Sequence, residues 1–476
     1  MLADDPLENP IPRTREFQVV VLAGHGANLQ PLTNNVGGNT ASKALLPVGN
    51  RPMISYVLHW VEDCGISDVL VVCPSVLKQE ISHHLHRAEY SNMRLELKSV
   101  DEDDISISGT AELDLVVLPC DFMPSPGLSL TTLLNAFRED VDEPVAAALL
   151  YERQIPADGK DKGPKLVVGT DETTNTLLYI DGDNDDDEEL EIHMGLTAEY
   201  HFPFNWPWLF VTWSIRFPNT RFTTRYLDSH VYILRRSVLG ILREHPGLLS
   251  FREEVLPWLC KLGYRKSKRE RWGTTLKHHD PAFKLAVLHA TTHVHRDPLT
   301  GMITTSPSLP EIPQPYDDEV TRQVSQSTNS RPLRTAYVVH HAKDGFVGRG
   351  NTLAGYMELN RQALGQIASK HHSTRGGKPS PSTASDSIIP DSATIGERAS
   401  IKRSVIGEHC RIGKNVKIQG CVVMDHVEIA DGAKLDNCVV SRLCQIGERA
   451  VLKECEIETA FRVSADVNIK GEKLET

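Results

Sequence analysis

The sequence predicts a Rossmann-like α/β domain followed by a left-handed parallel β-helix. Two observations carry this prediction: short valine-rich runs alternate with helical patterns in the N-terminal part, and aliphatic residues recur every 17 positions in the C-terminal part. The chain has 476 residues, of which 40% are hydrophobic and 24% charged. It therefore has the length and composition of a globular protein with about two or three domains.

The N-terminal part begins with alternating strand and helix patterns. The apolar run 18–23 predicts a buried strand of a parallel sheet, and Pro52 begins an amphipathic segment that ends at Gly65. The run 68–73 predicts a second strand, which completes a βαβ unit. Further predicted strands lie at 113–118, 145–150, 165–168, 177–180 and 231–234, and further predicted helices at 130–137 and 238–243.

The C-terminal part carries a repeat in three columns, which start at Ile389, Ile395 and Ile401. The columns continue through Ile406, Val423, Val440 and Ile457; through Ile412, Ile429, Ile446 and Val463; and through Ile418, Leu435, Leu452 and Ile469. Spacings of 6, 6 and 5 residues are typical of a three-sided coil with one short strand on each side. Successive coils then stack at the ~4.8 Å spacing of paired strands, and we predict about five coils of the hexapeptide type.

The nine cysteines form no C-x-x-C pair, which argues against a structural zinc site. Five of them fall on predicted inward positions of the β-helix, two residues before a column residue. They are Cys410, Cys421, Cys438, Cys444 and Cys455. We interpret them as small buried hydrophobic residues rather than as a thiol or metal cluster. This cysteine usage is typical of a reducing compartment, so we expect a cytosolic, cytoplasmic protein.

The charge pattern excludes some classes of function. Asp plus Glu number 63 against 51 Lys plus Arg, a net charge of −12, so a general DNA-binding surface is not expected. No stretch approaches the roughly 18 consecutive apolar residues of a membrane span. The N-terminus has no basic and apolar signal pattern, and we expect no membrane association and no secretion.

Composition also suggests the domain boundaries. Residues 307–326 are rich in Pro, Ser and acidic residues, and residues 370–386 are poor in apolar ones, so both are interpreted as exposed connections. We expect an α/β domain over 16–330, a connecting segment with one helix over 331–370, a flexible linker over 371–386 and the β-helix over 387–473. Asn351 and Thr352 are expected to cap the connecting helix.

The loop after the first strand is a candidate phosphate site. Gly24 and Gly26 would let backbone N–H groups approach an anion, the next helix adds a favourable dipole, and Lys43 adds a positive charge. Asp121 follows a predicted strand at the same edge of the sheet. The predicted pocket comprises Leu22, Ala23, Gly24, Gly26, Asn28, Lys43 and Asp121.

This loop resembles the N-terminal signature of the sugar-1-phosphate nucleotidyltransferases. The resemblance rests on the glycines followed in order by Pro31, Leu32, Thr33, Lys43, Leu45, Pro47, Val48 and Pro52. Several members of that family end in a left-handed β-helix, so the resemblance covers nearly the whole chain. It implies a nucleotidyltransferase-type fold for the first domain. It also implies that Asp121 stands where the family holds its catalytic Mg²⁺.

The departures from that family argue against catalysis. Active members read G-x-G-T-R-L in the loop, and here Asn28 replaces the arginine that clamps the phosphates. Asn is neutral and short, whereas Arg offers a permanently charged planar fork. The later N-x-G-x-Y segment of the family appears as residues 229–232 with Asp228 before them. We therefore expect a vestigial pocket with no catalytic residue and no cofactor; an active GDP-mannose pyrophosphorylase remains the alternative.

The chain combines a degraded phosphate loop, a joining segment at 345–361 and a C-terminal β-helix. This combination resembles the gamma subunits of the eukaryotic translation initiation factor 2B complex. That complex exchanges guanine nucleotide on the factor that carries initiator tRNA. The chain ends at Thr476, soon after the last predicted coil, which favours gamma over the longer epsilon subunit. The resemblance implies a noncatalytic docking subunit of a hetero-oligomer. Its partners would be the epsilon and other subunits, and its substrate the GTP-binding initiation factor.

Histidines and charge runs give weaker signals. Pairs at 278–279 and 371–372 could bind a metal, but no further ligands stand at fixed spacing, so we assign no metal. His409 and His426 fall on predicted corners of the β-helix; a histidine base of an acyltransferase is the alternative that we disfavour. We interpret the basic run 265–271 as a solvated loop face, with a contact to RNA or to an acidic partner surface as the alternative. We expect the acidic run 181–191 to be a disordered loop, with an electrostatic contact to a basic partner segment as the alternative.

The segment 200–213 is unusually rich in aromatic residues and contains Pro203 and Pro207, which oppose a regular strand or helix. It is either an exposed partner-binding insertion or translated intron sequence, and we favour the second. Peptide mass spectrometry of the native protein should then find no peptide that spans 196–214. Detection of such a peptide would show that the segment belongs to the mature chain.

Overall fold

A computed structural model gives the structure of most of the chain. It describes residues 17–36, 39–86, 90, 92–100, 113–140, 143–153, 166–180, 199–201, 212–214, 219–245, 248, 250–276, 292–296, 303–307, 333–374 and 386–475.

The first part of the chain forms a ten-stranded mixed sheet. Its strands are β1 (Phe17–Leu22), β2 (Asp68–Pro74), β3 (Arg94–Val100), β4 (Asp114–Pro119), β5 (Ala146–Glu152), β6 (Val168–Asp171), β7 (Thr176–Ile180), β8 (Thr220–Thr223), β9 (Tyr226–Leu234) and β10 (Thr335–His340). The spatial order is β8-β6-β7-β10-β5-β9-β4-β1-β2-β3. Strands β4, β1 and β2 are parallel, as expected, and β3, which was not predicted, is parallel to β2. Strand β9 runs antiparallel to both β4 and β5.

Helices cover both faces of this sheet. They are α1 (Met53–Asp63), α2 (Lys78–Leu85), α3 (Leu130–Arg138), α4 (Arg236–Glu244), α5 (Leu256–Tyr264) and α6 (Lys266–Leu276). One apolar core joins the sheet to α1, α2 and α3, and a second core on the other face joins it to α4 and α5. The basic run 265–271 lies largely in α6, so its interpretation as a loop was wrong.

The connecting segment 331–370 also supplies a strand to the ten-stranded sheet. Strand β10 lies between β7 and β5 of the sheet, although the predicted boundary of the α/β domain was residue 330. The segment continues through the short strand Gly348–Arg349 into helix α7 (Leu353–Thr374), which extends into the predicted linker 371–386. Thr352 accepts a hydrogen bond from the backbone N–H of Gly355 (3.1 Å), as expected of a cap.

The C-terminal part forms three five-stranded parallel sheets that close a three-sided left-handed β-helix. The first face comprises Thr394–Ile395, Arg411–Ile412, Glu428–Ile429, Gln445–Ile446 and Arg462–Val463. The second face comprises Ser400–Lys402, Lys417–Gln419, Lys434–Asp436, Val451–Lys453 and Asn468–Lys470. The third face comprises Val405–Ile406, Val422–Val423, Val439–Val440, Glu456–Ile457 and Lys473–Leu474.

The predicted columns are confirmed. Ile412, Ile429 and Ile446 are direct partners in neighbouring strands, and each is at least 96% buried. Ile395 differs because it lies in the first coil, where no further coil covers it, and it is 39% exposed. All nine cysteines are free, and the five in the β-helix are buried in its apolar core, which agrees with their interpretation as small hydrophobic residues.

The third face of the β-helix packs against the α/β domain. The outward-facing Val405, Val422 and Val439 share an apolar core with Leu29 of the glycine loop and with Tyr356 of α7. Polar contacts border this core: the Asn50 amide donates to the carbonyl of Ile406 (2.7 Å) and the Asn34 amide to Glu458 Oε1 (2.8 Å). The two parts of the chain therefore share one continuous interface.

Several short elements complete the described chain. Two-stranded pairs join Asn35–Val36 to Asn39–Thr40, Pro47–Val48 to Arg51–Pro52, Glu199–His201 to Thr212–Ser214, and Thr292–Arg296 to Ile303–Pro307. The aromatic residues 202–211, the acidic run 181–191 and the histidine pair 278–279 lie outside the described residues. Within the described part of the chain, no helix combines the length and apolar character needed to cross a bilayer.

The register of the β-helix predicts a sharp contrast between neighbouring residues of one strand. Ile446→Asp would place a carboxylate in the apolar interior and should cost at least about 3 kcal/mol of unfolding free energy. Gln445→Asp introduces the same side chain on the solvent side and should cost less than about 0.5 kcal/mol. Denaturant unfolding of the full chain checks this, and equal losses in both variants would contradict the register.

Candidate functional site

The glycine loop follows β1 and turns back against Lys43. The N–H of Ala23 donates to the carbonyl of Val72 (2.8 Å), and a 3₁₀ turn then spans Ala27–Leu29. Gly26 has φ +81°, and a Cβ there would lie 2.8 Å from the Cβ of Lys43. Glycine is therefore required at this position both by the backbone conformation and by the close approach of the lysine.

The loop is anchored by apolar residues rather than left open. Leu29 and Leu32 are almost fully buried in the core shared with the β-helix, whereas Gly24 and Asn28 are exposed. The Thr33 hydroxyl donates to the carbonyl of Gly26 (2.9 Å) and ties the two ends of the loop together. The sequence does not mark these leucines as loop anchors, because apolar residues in a glycine-bearing loop do not reveal what covers them.

Asp121 lies two residues after the last residue of β4, and its side chain is fully buried between two cationic side chains. Lys43 Nζ is 2.7 Å from Asp121 Oδ2, and Arg349 Nη2 is 3.0 Å from Oδ1 and 3.1 Å from Oδ2. Burial alone would raise the pKa of Asp121, but the charges of Arg349 and Lys43 outweigh burial and lower that pKa to about 2. Both carboxylate oxygens are thus engaged by charge-assisted hydrogen bonds.

Arg349 reaches Asp121 because its own strand pairs with the residues that follow Asp121. Gly348–Arg349 runs antiparallel to Phe122–Met123, and the N–H of Gly350 donates to the carbonyl of Asp121 (2.8 Å). Burial would lower the pKa of Arg349, yet the charge of Asp121 raises it above its usual value. The guanidinium therefore remains charged inside the protein.

Asn351 is the fourth side chain of this group. We call the group the buried ion cluster; it comprises Lys43, Asp121, Arg349 and Asn351. Lys43 Nζ donates to Asn351 Oδ1 at 2.6 Å, so this side chain serves the lysine rather than the predicted helix cap. Sequence reasoning missed the roles of Arg349 and Asn351. The sequence offered one indication, the resemblance of the joining segment 345–361 to that of the gamma subunits. This resemblance does not indicate which carboxylate Arg349 pairs with.

A second polar group lies on β9 beside the cluster. The hydroxyl of Tyr232 and the N–H of His230 (2.9 Å) both donate to Asp228, whose pKa is raised by burial. Burial and the nearby charge of Arg349 lower the pKa of His230 to about 2, so its imidazole is neutral at physiological pH. His230 also has φ +59°, a backbone conformation that favours glycine.

The residues around Asp121 do not fit a magnesium ion. Mg²⁺ is held by carboxylate and phosphate oxygens in an octahedral shell that keeps several waters. Here both oxygens of Asp121 accept hydrogen bonds from cations, and the cluster already holds two positive charges against one negative charge. A divalent cation would have to displace Arg349 or Lys43 and leave a buried charge without its partner.

The structure therefore divides the predicted pocket residues into two groups. Gly26, Lys43 and Asp121 come together at the ends of β1 and β4, and Ala23 is buried beside them. Gly24 and Asn28 stay at the surface, and Leu22 is partly buried. Whether these residues still bind a nucleotide stays a prediction.

Comparison with known proteins gives the context of this geometry. Residues 18–113 match the family model "Nucleotidyl transferase", and residues 378–471 match the model "EIF2B subunit epsilon LbH domain". Three relatives are named translation initiation factor eIF2B subunit gamma. They come from Schizosaccharomyces pombe (29% identical over 266 residues), Caenorhabditis elegans (28% over 261) and Dictyostelium discoideum (23% over 422).

The chain is similar to gamma subunits of eIF2B. The matched regions cover 53% of this chain and 53% of the S. pombe protein, 51% and 58% for C. elegans, and 82% and 87% for D. discoideum. The chain therefore matches little more than half the length of the first two eIF2B relatives. The predicted fold, a nucleotidyltransferase-type domain followed by a left-handed β-helix, is confirmed.

The buried ion cluster predicts an acid-sensitive contribution to stability. Because the pKa of folded Asp121 is about 2 and its unfolded value is near 3.8, this contribution is fully present above about pH 4. It is lost as the pH falls from about 4 through 2. Asp121→Asn should cost about 3–5 kcal/mol near neutral pH, because it leaves two buried cations without a counterion.

A matched control is Asp466→Asn, which removes a carboxylate from the exposed pair with Arg449. It should change the stability of the chain far less, since exposed pairs contribute little. Denaturant unfolding between pH 5 and pH 2 tests both variants. If Asp121→Asn left the pH dependence of wild type unchanged, the ion cluster would not be the source of the acid sensitivity.

Proposed function

We propose that this chain is a noncatalytic, gamma-type subunit of an eIF2B guanine-nucleotide exchange factor complex. The observation that carries the noncatalytic part is the engagement of both Asp121 oxygens by Lys43 and Arg349. The names of the three eIF2B gamma relatives support membership in the complex. In this proposal the nucleotidyltransferase-type domain and the β-helix serve as protein-binding surfaces.

Nucleotidyl transfer requires charges that are free to meet phosphate oxygens. A transferase must stabilise the negative charge that develops on the phosphates, by metal ions and by cationic side chains. Lys43 is already bound to Asp121 and Asn351, and the neutral Asn28 is exposed in the loop. We accordingly propose that the predicted pocket is a vestige of a nucleotide site. It comprises Leu22, Ala23, Gly24, Gly26, Asn28, Lys43 and Asp121.

The proposed partners, substrate and location rest on the same similarity to eIF2B gamma subunits. We propose the epsilon subunit and the other eIF2B subunits as partners, the GTP-binding initiation factor as substrate, and the cytosol as the location. Domain limits near 16–330, 331–370, 371–386 and 387–473 stay part of the proposal, with β10 and Arg349 of the second segment packed into the first domain.

One observation favours a second candidate function. The "Nucleotidyl transferase" model matches residues 18–113, and a bifunctional sugar-1-phosphate nucleotidylyltransferase/acetyltransferase of Sulfurisphaera tokodaii is 31% identical over 96 residues. The match to that relative covers 20% of each chain. The family-model match ends at residue 113, before Asp121 and Arg349. An active pyrophosphorylase, for example one that makes GDP-mannose, is therefore kept as the alternative to be tested.

The enzyme test measures pyrophosphate release. The purified full chain, incubated with Mg²⁺, GTP, ATP or UTP and a sugar 1-phosphate, should release no detectable pyrophosphate, because Arg349 and Lys43 occupy the carboxylate that would hold the metal. A bacterial nucleotidyltransferase assayed in parallel controls for the reagents. Turnover at an ordinary enzyme rate of about 1 to 10³ per second would establish the pyrophosphorylase instead.

The exchange test measures GDP release from the initiation factor. The chain co-expressed with an epsilon subunit should form a stable complex, and that complex should release GDP faster than epsilon alone. The control is the epsilon subunit incubated with an equal amount of an unrelated globular protein, which should leave the rate of GDP release unchanged. A full chain that forms no complex with epsilon by native mass measurement would contradict the proposal.

A further inference from the structure

The second face of the β-helix carries an unusual concentration of lysine. Each strand of this face turns its two end residues outward, and one lysine stands at an outward position in every coil. These lysines are Lys402, Lys417, Lys434, Lys453 and Lys470, and all five are exposed. The other outward residues are Ser400, Gln419, Asp436, Val451 and Asn468, so Asp436 is the single acidic residue among the ten.

Several of these lysines face each other directly. Lys417 is the strand partner of Lys434, and Lys453 is the strand partner of Lys470. Strand partners in neighbouring coils lie ~4.8 Å apart, and like charges directly opposite each other destabilise a sheet. Among the described residues, none of the five lysines forms an ion pair within 4.0 Å. The folded chain therefore keeps an electrostatic cost on this face.

The first and third faces of the β-helix do not carry such a concentration of unpaired lysines. The third face is covered by the α/β domain through Val405, Val422 and Val439. On the first face, Arg411 pairs with Glu428 of the next coil at 3.2 Å. The chain as a whole has a net charge of −12, so a surplus of four positive charges on one flat face opposes the overall balance.

We propose that the second face of the β-helix docks an acidic protein surface. A partner that brings carboxylates between Lys417 and Lys434 and between Lys453 and Lys470 would relieve the repulsion within both pairs. Five coils give the face a length of about 20 Å, which suits one part of a standard interface that buries roughly 800 Å² on each partner. This inference does not depend on the proposed role in nucleotide exchange.

The composition of the face favours a protein partner over a nucleic acid. Surfaces that bind single-stranded nucleic acid combine positive charge with aromatic residues on which bases stack, and arginine is the preferred partner of phosphate. The ten outward positions of this face contain neither aromatic residues nor arginine. Asp436 lies in the middle coil and is the strand partner of Lys453, so a carboxylate stands opposite a lysine of this face only there.

The test compares two full-length variants that change the net charge equally. Lys417→Gln/Lys434→Gln removes one facing pair, and Lys98→Gln/Lys343→Gln removes two exposed lysines outside the β-helix. The probe is a fluorescent polyglutamate peptide whose dissociation constant is measured by anisotropy at low and at physiological salt. The face variant should raise that constant about 5- to 10-fold, and the control less than about twofold.

The other possible outcomes of this test also decide whether the second face docks an acidic protein surface. Equal weakening in the two variants, or no binding of the peptide to wild type, would overturn the proposal. Oligouridine that binds wild type more tightly than the peptide, and loses affinity in the face variant, would replace it with a nucleic-acid site. The face variant should melt at or above the wild-type midpoint because a repulsion is removed; if it melts lower, Lys402→Gln/Lys470→Gln at the two ends of the face repeats the binding comparison.

Discussion

The ion pairs of Asp121 with Lys43 and Arg349 hold together parts of the chain that are far apart in sequence. A buried carboxylate is tolerated only when charged partners and hydrogen bonds replace the water it has lost. Asp121 follows β4, Lys43 lies in the segment after the glycine loop, and Arg349 lies in the segment that leads to the β-helix. The position of each segment is therefore set by the same negative charge.

This cluster also fixes the interface between the two parts of the protein. The chain leaves Arg349 and enters α7, whose Tyr356 is fully buried and donates its hydroxyl to the carbonyl of Pro47 (2.6 Å). Tyr356 lies in the same apolar core as Leu29 of the glycine loop and Val422 of the β-helix. Leu29 therefore ties the glycine loop to the β-helix.

The sequence predicts those features whose signal is periodic or local. The 17-residue repeat placed Ile412, Ile429 and Ile446 in one column, because each strand pairs with the same strand of the next coil. It did not predict the antiparallel direction of β9, the place of β10 inside the sheet, or the contact between Arg349 and Asp121. That contact joins residues 228 positions apart, and no repeat or spacing connects them.

The presence of Lys43 and Asp121 therefore carries little information about activity by itself. The two side chains satisfy each other, and Arg349 completes the pairing of the carboxylate. A buried carboxylate needs such charged partners in order to fold, whether or not it binds a ligand. The informative positions are the ones around the pair: Asn28 in the loop, which offers no charge, and Arg349, which supplies one from inside the protein.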